Sequence, residues 1–302
     1  MSLLIKELLQ MAQKRFELAG CSDPRIDAEQ LLCYYLNENR SYLFLHYADE
    51  IGDSHCQGYL ELIDRRASGE PIQYITGVQE FMGLEFCVNQ DVLIPCQDTE
   101  TLVELALDEL CGRKTPFGGF EVLDLCCGSG AIGISLLKLG ERGRLKLNVI
   151  GTDISEGALQ VAQKNAEKNA VKPIRFLQGD LFAPLPKNRK GQGKQKFDLI
   201  ISNPPYIPDA VIPTLQKEVR EYEPILALSG GETGLDFYER IVPEAERHLK
   251  PGGLLMLEIG YDQGEALKQL AAASAFWTDA EVHLDLAGKD RVVILRASSE
   301  KI

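Results

Sequence analysis

Val122-Leu-Asp-Leu-Cys-Cys-Gly-Ser-Gly-Ala-Ile-Gly133 reads as a short apolar strand, a glycine turn and the start of a helix. The spacing Gly128-x-Gly130-x-x-Gly133 lets backbone approach a ligand closely. Asp153 lies 20 residues past Gly133, where a carboxylate can grip two ribose hydroxyls. Around this stretch, apolar segments alternate with helical ones. Strands are expected at Val122–Leu125, Asn148–Gly151, Ile174–Leu177, Leu199–Ser202 and Leu254–Glu258, with helices including Glu156–Asn169 and Leu235–Leu249. Such alternation implies right-handed crossovers, an α/β fold and a mostly parallel sheet. Two late strands near Glu281–Leu284 and Val292–Arg296 are expected to finish the sheet as an antiparallel edge, making seven strands.

The chain has 302 residues, ample for a core, and a formal net charge of −13. Phosphate neutralisation needs clustered cations, so this balance argues against direct nucleic-acid binding. Eight cysteines, none in C-x-x-C spacing, read as reduced thiols of a cytoplasmic protein, and no metal site is expected. No segment has the apolar length of a membrane span or signal peptide. Residues 1–75 form a small helical bundle domain. Leu4, Leu8, Met11, Ala12 and Phe16 share one face of a first helix stopped by Gly20; Ser22-Asp23-Pro24 starts a second, and a third runs from about His55 to Ala67. Its 7 basic and 12 acidic residues exclude a nucleic-acid arm and leave open a docking module for a protein partner. From Ile72 to Pro95 the pattern suggests a β-hairpin linker, assigned to residues 76–95, ahead of a catalytic domain at 96–302. The cationic segment 187–196 reads as a solvated surface loop.

Two features carry chemistry. Asp124 sits inside a strand that should be apolar throughout, and a buried carboxylate is costly unless paired. A cofactor with cationic groups would justify it and a pyrophosphate would be repelled, which favours S-adenosylmethionine over a nicotinamide dinucleotide. Plain bonding of Asp124 to backbone amides of the glycine loop is compatible with either. The second feature is Phe197-Asp-Leu-Ile-Ile-Ser-Asn203-Pro204-Pro205-Tyr206, a buried strand ending in a proline-stiffened loop. The Asn203 side-chain oxygen and the Pro204 carbonyl form a rigid pair of acceptors with the Tyr206 ring beside them, suited to a planar –NH2 group. The carboxyl end of a sheet strand is where open α/β folds bind ligands.

Asn-Pro-Pro-Tyr downstream of Asp-x-Cys-x-Gly-x-Gly resembles the class I methyltransferases that modify planar amino groups. Further stretches resemble the HemK/PrmC family: Gly69-Glu-Pro-Ile-Gln-Tyr-Ile-Thr-Gly77, Leu93-Ile-Pro-Cys-Gln-Asp-Thr-Glu100, Glu223-Pro-Ile-Leu-Ala-Leu228 with Gly230-Gly-Glu-Thr-Gly-Leu-Asp236, and Leu286-Ala-Gly-Lys-Asp-Arg-Val-Val293. The resemblance implies methylation of the glutamine amide nitrogen (N5) in the Gly-Gly-Gln motif of peptide chain release factors, with S-adenosylmethionine as donor, S-adenosylhomocysteine as product and a monomeric enzyme. It implies that Cys126, Cys127, Gly128, Ser129 and Gly130 form the loop under the methionine part. Asp153 would hold the ribose, and Asp180 and Leu181 flank the adenine. Asn203 and Pro204 would accept the hydrogens of the substrate amide, with Pro205 and Tyr206 packed against it and Glu100 supporting the site. Two departures stand out. Cys126 replaces a usual glycine, which is mild if its φ stays negative, and Cys96-Gln97 replace a usual Arg-Pro, removing a cation. The competing readings are an adenine-N6 DNA or RNA methyltransferase, a dinucleotide-dependent oxidoreductase and a non-catalytic binding module.

Overall fold

The computed structural model describes residues 3–172, 174–186 and 194–299. The side chain of His55 and the cationic residues 187–193 lie outside them. The chain divides into two compact units, residues 1–78 with 216–222, and residues 79–215 with 223–302.

The smaller unit is mostly helical, with one short antiparallel pair, Leu3–Leu4 with Glu50–Ile51. Its first helix, Ile5–Ala19, buries Leu8, Ala12 and Phe16 along one face and stops where Gly20 turns left-handed at φ 77°. Pro24 opens the next helix, Pro24–Leu36, and Asp53–Ala67 forms a third. The buried Tyr59 hydroxyl donates to the Ala28 carbonyl at 2.9 Å and ties these two together. Arg66, 4% exposed, pairs with Asp27 at 2.7 Å and with Glu218 at 3.0 Å; the latter comes from the returning helix Lys217–Tyr222. Two short helices depart from expectation. Arg40–Leu45 forms because Asn39 Oδ1 accepts from the Tyr42 amide at 3.0 Å. Ile72–Thr76, expected to begin the hairpin, is a single helical turn that buries Ile72, Tyr74 and Ile75 and ends at Gly77. The hairpin itself is Val78–Phe81 with Leu84–Cys87.

The larger unit is built on seven strands: β1 Phe120–Leu125, β2 Leu147–Asp153, β3 Ile174–Gln178, β4 Phe197–Ser202, β5 Leu249–Glu258, β6 Trp277–Leu284 and β7 Asp290–Ala297. Their spatial order is β6-β7-β5-β4-β1-β2-β3. The pairs from β3 across to β5 are parallel, whereas β7 runs antiparallel to both its neighbours. The two late strands finish the sheet with antiparallel pairing, as expected, and the last of them inserts one place in from the edge. Its run Val292–Leu295 is buried on both faces and needs cover on both sides, whereas β6 is largely half-exposed and serves as the edge. The helix expected to reach Leu249 spans Asp236–Ala245, because Leu249 already pairs with Phe197 in the sheet.

Both faces of the sheet are packed. Residues Val122, Val149, Leu199 and Met256 point into one apolar cluster with Leu102 and Ala106 of helix Gln97–Cys111. Leu123, Leu125, Ile200 and Leu257 point into the other with Tyr238 and Ile241. The strand order reverses between β1 and β4. The crevice at their carboxyl ends is where a doubly wound sheet holds its ligand. No helix of the described residues is long and apolar enough to cross a membrane.

Candidate active site

Leu125 and Ser202 are paired at the ends of β1 and β4, and Ser202 Oγ donates to the Leu125 carbonyl at 2.7 Å. The glycine loop and the Asn203 loop thus start side by side. In the first loop the Cys127 amide donates to the Thr152 carbonyl at 3.0 Å and the Gly130 amide to the Cys127 carbonyl at 2.7 Å. Gly130 sits at φ 77°, and a Cβ there would lie 3.0 Å from Ile134 Cδ1 and 3.2 Å from Ala162 Cβ, so a larger residue would be both strained and crowded.

Cys126 has φ 54°. This corrects the expectation that the cysteine is mild because its φ stays negative: the turn needs the left-handed region, where an L-residue costs about 1–2 kcal/mol. Cys126→Gly and Cys126→Ala both remove the sulfur, and only the first also removes the strain. Cys126→Gly is expected to be the more stable of the two by about 1 kcal/mol, a melting-temperature gap of about 2–4 °C by calorimetry. Equal melting temperatures would show that the turn stores no strain.

Asp153 ends β2. Its Oδ2 accepts from the Gly128 amide and its Oδ1 from the Ser155 amide, each at 2.9 Å. Burial raises its pKa and these amides oppose the rise. The carboxylate keeps acceptor sites beyond these two bonds. Asp124 is wholly buried and does not line the cavity described below. Its Oδ2 accepts from the Gly133 amide at 3.0 Å, and Oδ1 has no partner among the described residues. Gly133 lets the two approach, since a Cβ there would crowd the same Asp124 oxygen at 3.0 Å. Asp124 therefore secures the glycine helix rather than facing a ligand's cationic groups.

Desolvation pushes the Asp124 carboxyl up to about 8. A group with a raised native pKa binds protons more tightly folded than unfolded, so its contribution to stability falls as pH climbs from its ordinary value towards 8. Asp124→Asn keeps an acceptor for Gly133 and removes the titration. Its melting temperature is expected to decline less between about pH 5 and about pH 8 than that of the wild type. Parallel declines would assign the titration to other groups.

The loop residues Cys126, Cys127, Gly128 and Ser129 line a cavity of about 340 Å³ together with Asp153, Asp180, Leu181, Asn203 and Pro205. Val92, Leu93 and Thr99 supply further wall. Gly130, Pro204 and Tyr206 do not line it. Arg240, the lysine or arginine among the lining residues, is paired with Asp180. Burial raises the pKa of Cys126 and Cys127, which keeps both as neutral thiols. Among the described residues no cluster of three His, Cys, Asp or Glu side chains forms a metal site.

The Asn203 side chain is held by a residue the motif reading passed over: Nδ2 donates to Thr99 Oγ1 at 3.2 Å. Glu100, expected to support the site, instead accepts the Met82 amide at the hairpin turn. Tyr206 donates its hydroxyl to Glu258 Oε1 at 3.3 Å. Glu258 ends β5 and is 1% exposed. Close to Cys96-Gln97, Arg291 bridges Asp98 and Asp285 at 3.0 Å each and acts electrostatically on Glu258. Thr99 lies within a quoted family stretch, and Glu258 shows the same signal as Asp124, an acid in an apolar strand. Neither signal says what the side chain meets.

A seven-stranded sheet with one antiparallel strand next to its edge, and a glycine loop after β1, defines a class I methyltransferase. The comparisons agree. Residues 7–77 match the PrmC N-terminal domain and residues 117–294 a methyltransferase domain family. The release factor glutamine methyltransferase of Moorella thermoacetica is 43% identical over 95% of this chain and 96% of its own length. That of Geobacter sulfurreducens is 41% identical over 96% and 95%. Among solved structures, the hMettl16 catalytic domain in complex with MAT2A 3′UTR hairpin 1 shares the fold, with a TM-score of 0.52, 16% identity and 82% of each chain covered. The chain belongs to the release factor glutamine methyltransferase family. Membership of a class I methyltransferase family implies S-adenosylmethionine as methyl donor.

Proposed function

We propose that this enzyme methylates the side-chain amide nitrogen, N5, of the glutamine in the Gly-Gly-Gln motif of peptide chain release factors. The observation that carries this reading is Asn203. With Nδ2 committed to Thr99, its carbonyl oxygen is the end available to accept from a planar –NH2 group at a cavity shared with the glycine loop. Family membership supplies the acceptor protein.

The cavity suits S-adenosylmethionine. Its wall combines exposed loop backbone, apolar side chains and the Asp153 carboxylate, and its arginine is already paired, so it offers no cationic cradle for a pyrophosphate. When bound, the cofactor supplies a methyl group made electrophilic by its sulfonium. Cys126, Cys127, Gly128 and Ser129 form the bed for its methionine part, with Gly130 turning the loop into its helix behind them, Asp153 holds the ribose hydroxyls, and Asp180 and Leu181 flank the adenine. Asn203 Oδ1 and the Pro204 carbonyl accept the two amide hydrogens, with Pro205 and Tyr206 stiffening the loop.

An amide nitrogen is a poor nucleophile because its lone pair is delocalised. Two acceptors on its hydrogens push electron density back and hold the group in line, and orientation of this kind is worth roughly 7–11 kcal/mol. Methyl transfer leaves the amide nitrogen carrying a positive charge and an extra proton, which is strongly acidic and leaves to solvent without a dedicated base.

Transfer of label from methyl-labelled S-adenosylmethionine, with purified release factor and duplex DNA offered in parallel, tests the proposal. Label on the release factor that vanishes when the Gly-Gly-Gln glutamine is replaced supports it. Label on DNA alone would overturn the substrate and leave the cofactor chemistry standing.

A further inference from the structure

We propose that Gln263 and the glycine stretch Gly230–Gly234 form a brace that positions the Asn203–Tyr206 loop for methyl transfer, with Gln263 as its positioning residue. The inference rests on the role given to that loop above. Pro204 and Pro205 have no N–H, so the loop has few donors with which to hold itself. Its carbonyls must be fixed by donors from other segments. Residues 230–236, a stretch the motif reading left without a role, do not line the cofactor cavity. They pack against the back of Tyr206 instead.

Gln263 stands just before helix Gly264–Ala272 and is 7% exposed. A side chain at that point commonly caps its own helix, but Gln263 makes no such bond and turns inward. Its Nε2 donates to the Tyr206 carbonyl at 3.0 Å and to the Gly234 carbonyl at 3.2 Å, while Oε1 accepts from the Gly260 amide at 2.9 Å. Both hydrogens and the oxygen are used. The orientation is fixed, because a backbone N–H can only donate and a backbone carbonyl can only accept, so the flipped amide would lose all three bonds. Three loops thus meet on one uncharged side chain: the one after β4, the one before helix Asp236–Ala245 and the one after β5.

The glycines let the second of these loops come close. A Cβ on Gly230 would lie 2.8 Å from Tyr206 Cα. One on Gly234, at φ 79°, would lie 2.8 Å from Gln263 Nε2 and run into the Tyr206 carbonyl. Backbone bonds extend the contact past Tyr206: the Ile207 amide donates to the Leu228 carbonyl at 3.0 Å, the Gly230 amide to the Ile207 carbonyl at 2.9 Å and the Asp209 amide to the Gly231 carbonyl at 3.0 Å. Tyr206 is therefore held by its backbone, as well as by its hydroxyl on Glu258 Oε1. The Pro204 carbonyl, which accepts from the substrate amide, is two residues from the clamped Tyr206 carbonyl. Pro205 between them is rigid, so a shift at Tyr206 is carried to Pro204. None of these bonds reaches the glycine loop after β1 or Asp153, so the brace acts on the methyl acceptor's side of the site.

The test is kcat and KM for release factor, with S-adenosylmethionine affinity by calorimetry, for wild type, Gln263→Met, Gln263→Glu, Gly230→Ala and Asn203→Ala, at a temperature where thermal melts show the proteins folded. Gln263→Met keeps the length and removes the polar atoms. It is expected to lower kcat about 10–100-fold, with KM and cofactor affinity within about threefold of wild type. Gln263→Glu keeps the acceptor for Gly260 but has at most one hydrogen for two carbonyls, and should also lower kcat about tenfold or more. Gly230 lies outside the left-handed region, so Gly230→Ala adds only a push on Tyr206 and should show the same selective fall in kcat. The two Gln263 variants decide the outcome if Gly230→Ala does not fold. Wild-type kcat in Gln263→Met beside an inactive Asn203→Ala overturns the brace and spares Asn203. Wild-type kcat in Gln263→Glu, which would reduce Gln263 to a support for the Gly260 turn, also overturns it, as do losses confined to KM or cofactor affinity. An active Asn203→Ala instead brings down the underlying reading of the site.

Discussion

Asn203→Ala is expected to lower kcat for release-factor methylation by about 10²–10³-fold, the scale on which enzymes lose rate when one preorganised polar contact to the reacting group is removed. The substitution deletes the acceptor held by Thr99 and leaves the Pro204 carbonyl as the other contact. It touches neither the glycine loop nor Asp153. Cofactor affinity measured by calorimetry should therefore stay within about threefold of wild type, because the lost contact is to the amide and not to the donor. Asn203 is only half-buried, so its truncation opens no large void and the melting temperature should hold. A collapse of cofactor binding with normal turnover at saturation would move Asn203 from the substrate to the cofactor.

The mirror result is expected for Asp153→Ala. A carboxylate hydrogen bond is worth about 1.5–3 kcal/mol, and two ribose hydroxyls on one carboxylate bring the loss to the order of 10²-fold or more in cofactor affinity. The same side chain also holds the Gly128 and Ser155 amides, so the glycine loop loosens and adds to the loss. Asp153→Asn keeps one acceptor oxygen and should fall between wild type and Asp153→Ala. Turnover at saturating cofactor should survive in both, because the –NH2 acceptors are untouched. Unchanged affinity in Asp153→Ala, with an intact melting temperature, would remove Asp153 from the ribose.

Apolar runs and helical spacing are local properties, and they located all seven strands along the chain, though not their order in the sheet. Gly128-x-Gly130 and Asn203-Pro204-Pro205-Tyr206 were readable for the same reason, since turn chemistry is carried by the turn's own residues. Strand ends were less certain, because a strand continues for as long as it finds a partner: β5 begins at Leu249, opposite Phe197, rather than at Leu254.

The amino-acid order alone determined a mostly parallel α/β sheet, a glycine loop after its first strand and a rigid Asn-Pro-Pro-Tyr loop after its fourth, because each is signalled by residues adjacent in the chain. Folding decided the rest. It put β7 inside the sheet, since a strand buried on both faces must be covered on both. It forced Cys126 into a left-handed turn and withdrew Asp124 from the cavity. It brought Thr99 and Glu258 to the Asn203 loop from segments far apart in the chain. Burial and partnership of this kind arise only when distant segments pack, and they change a side chain's charge and hydrogen bonding without any mark in its neighbours along the chain.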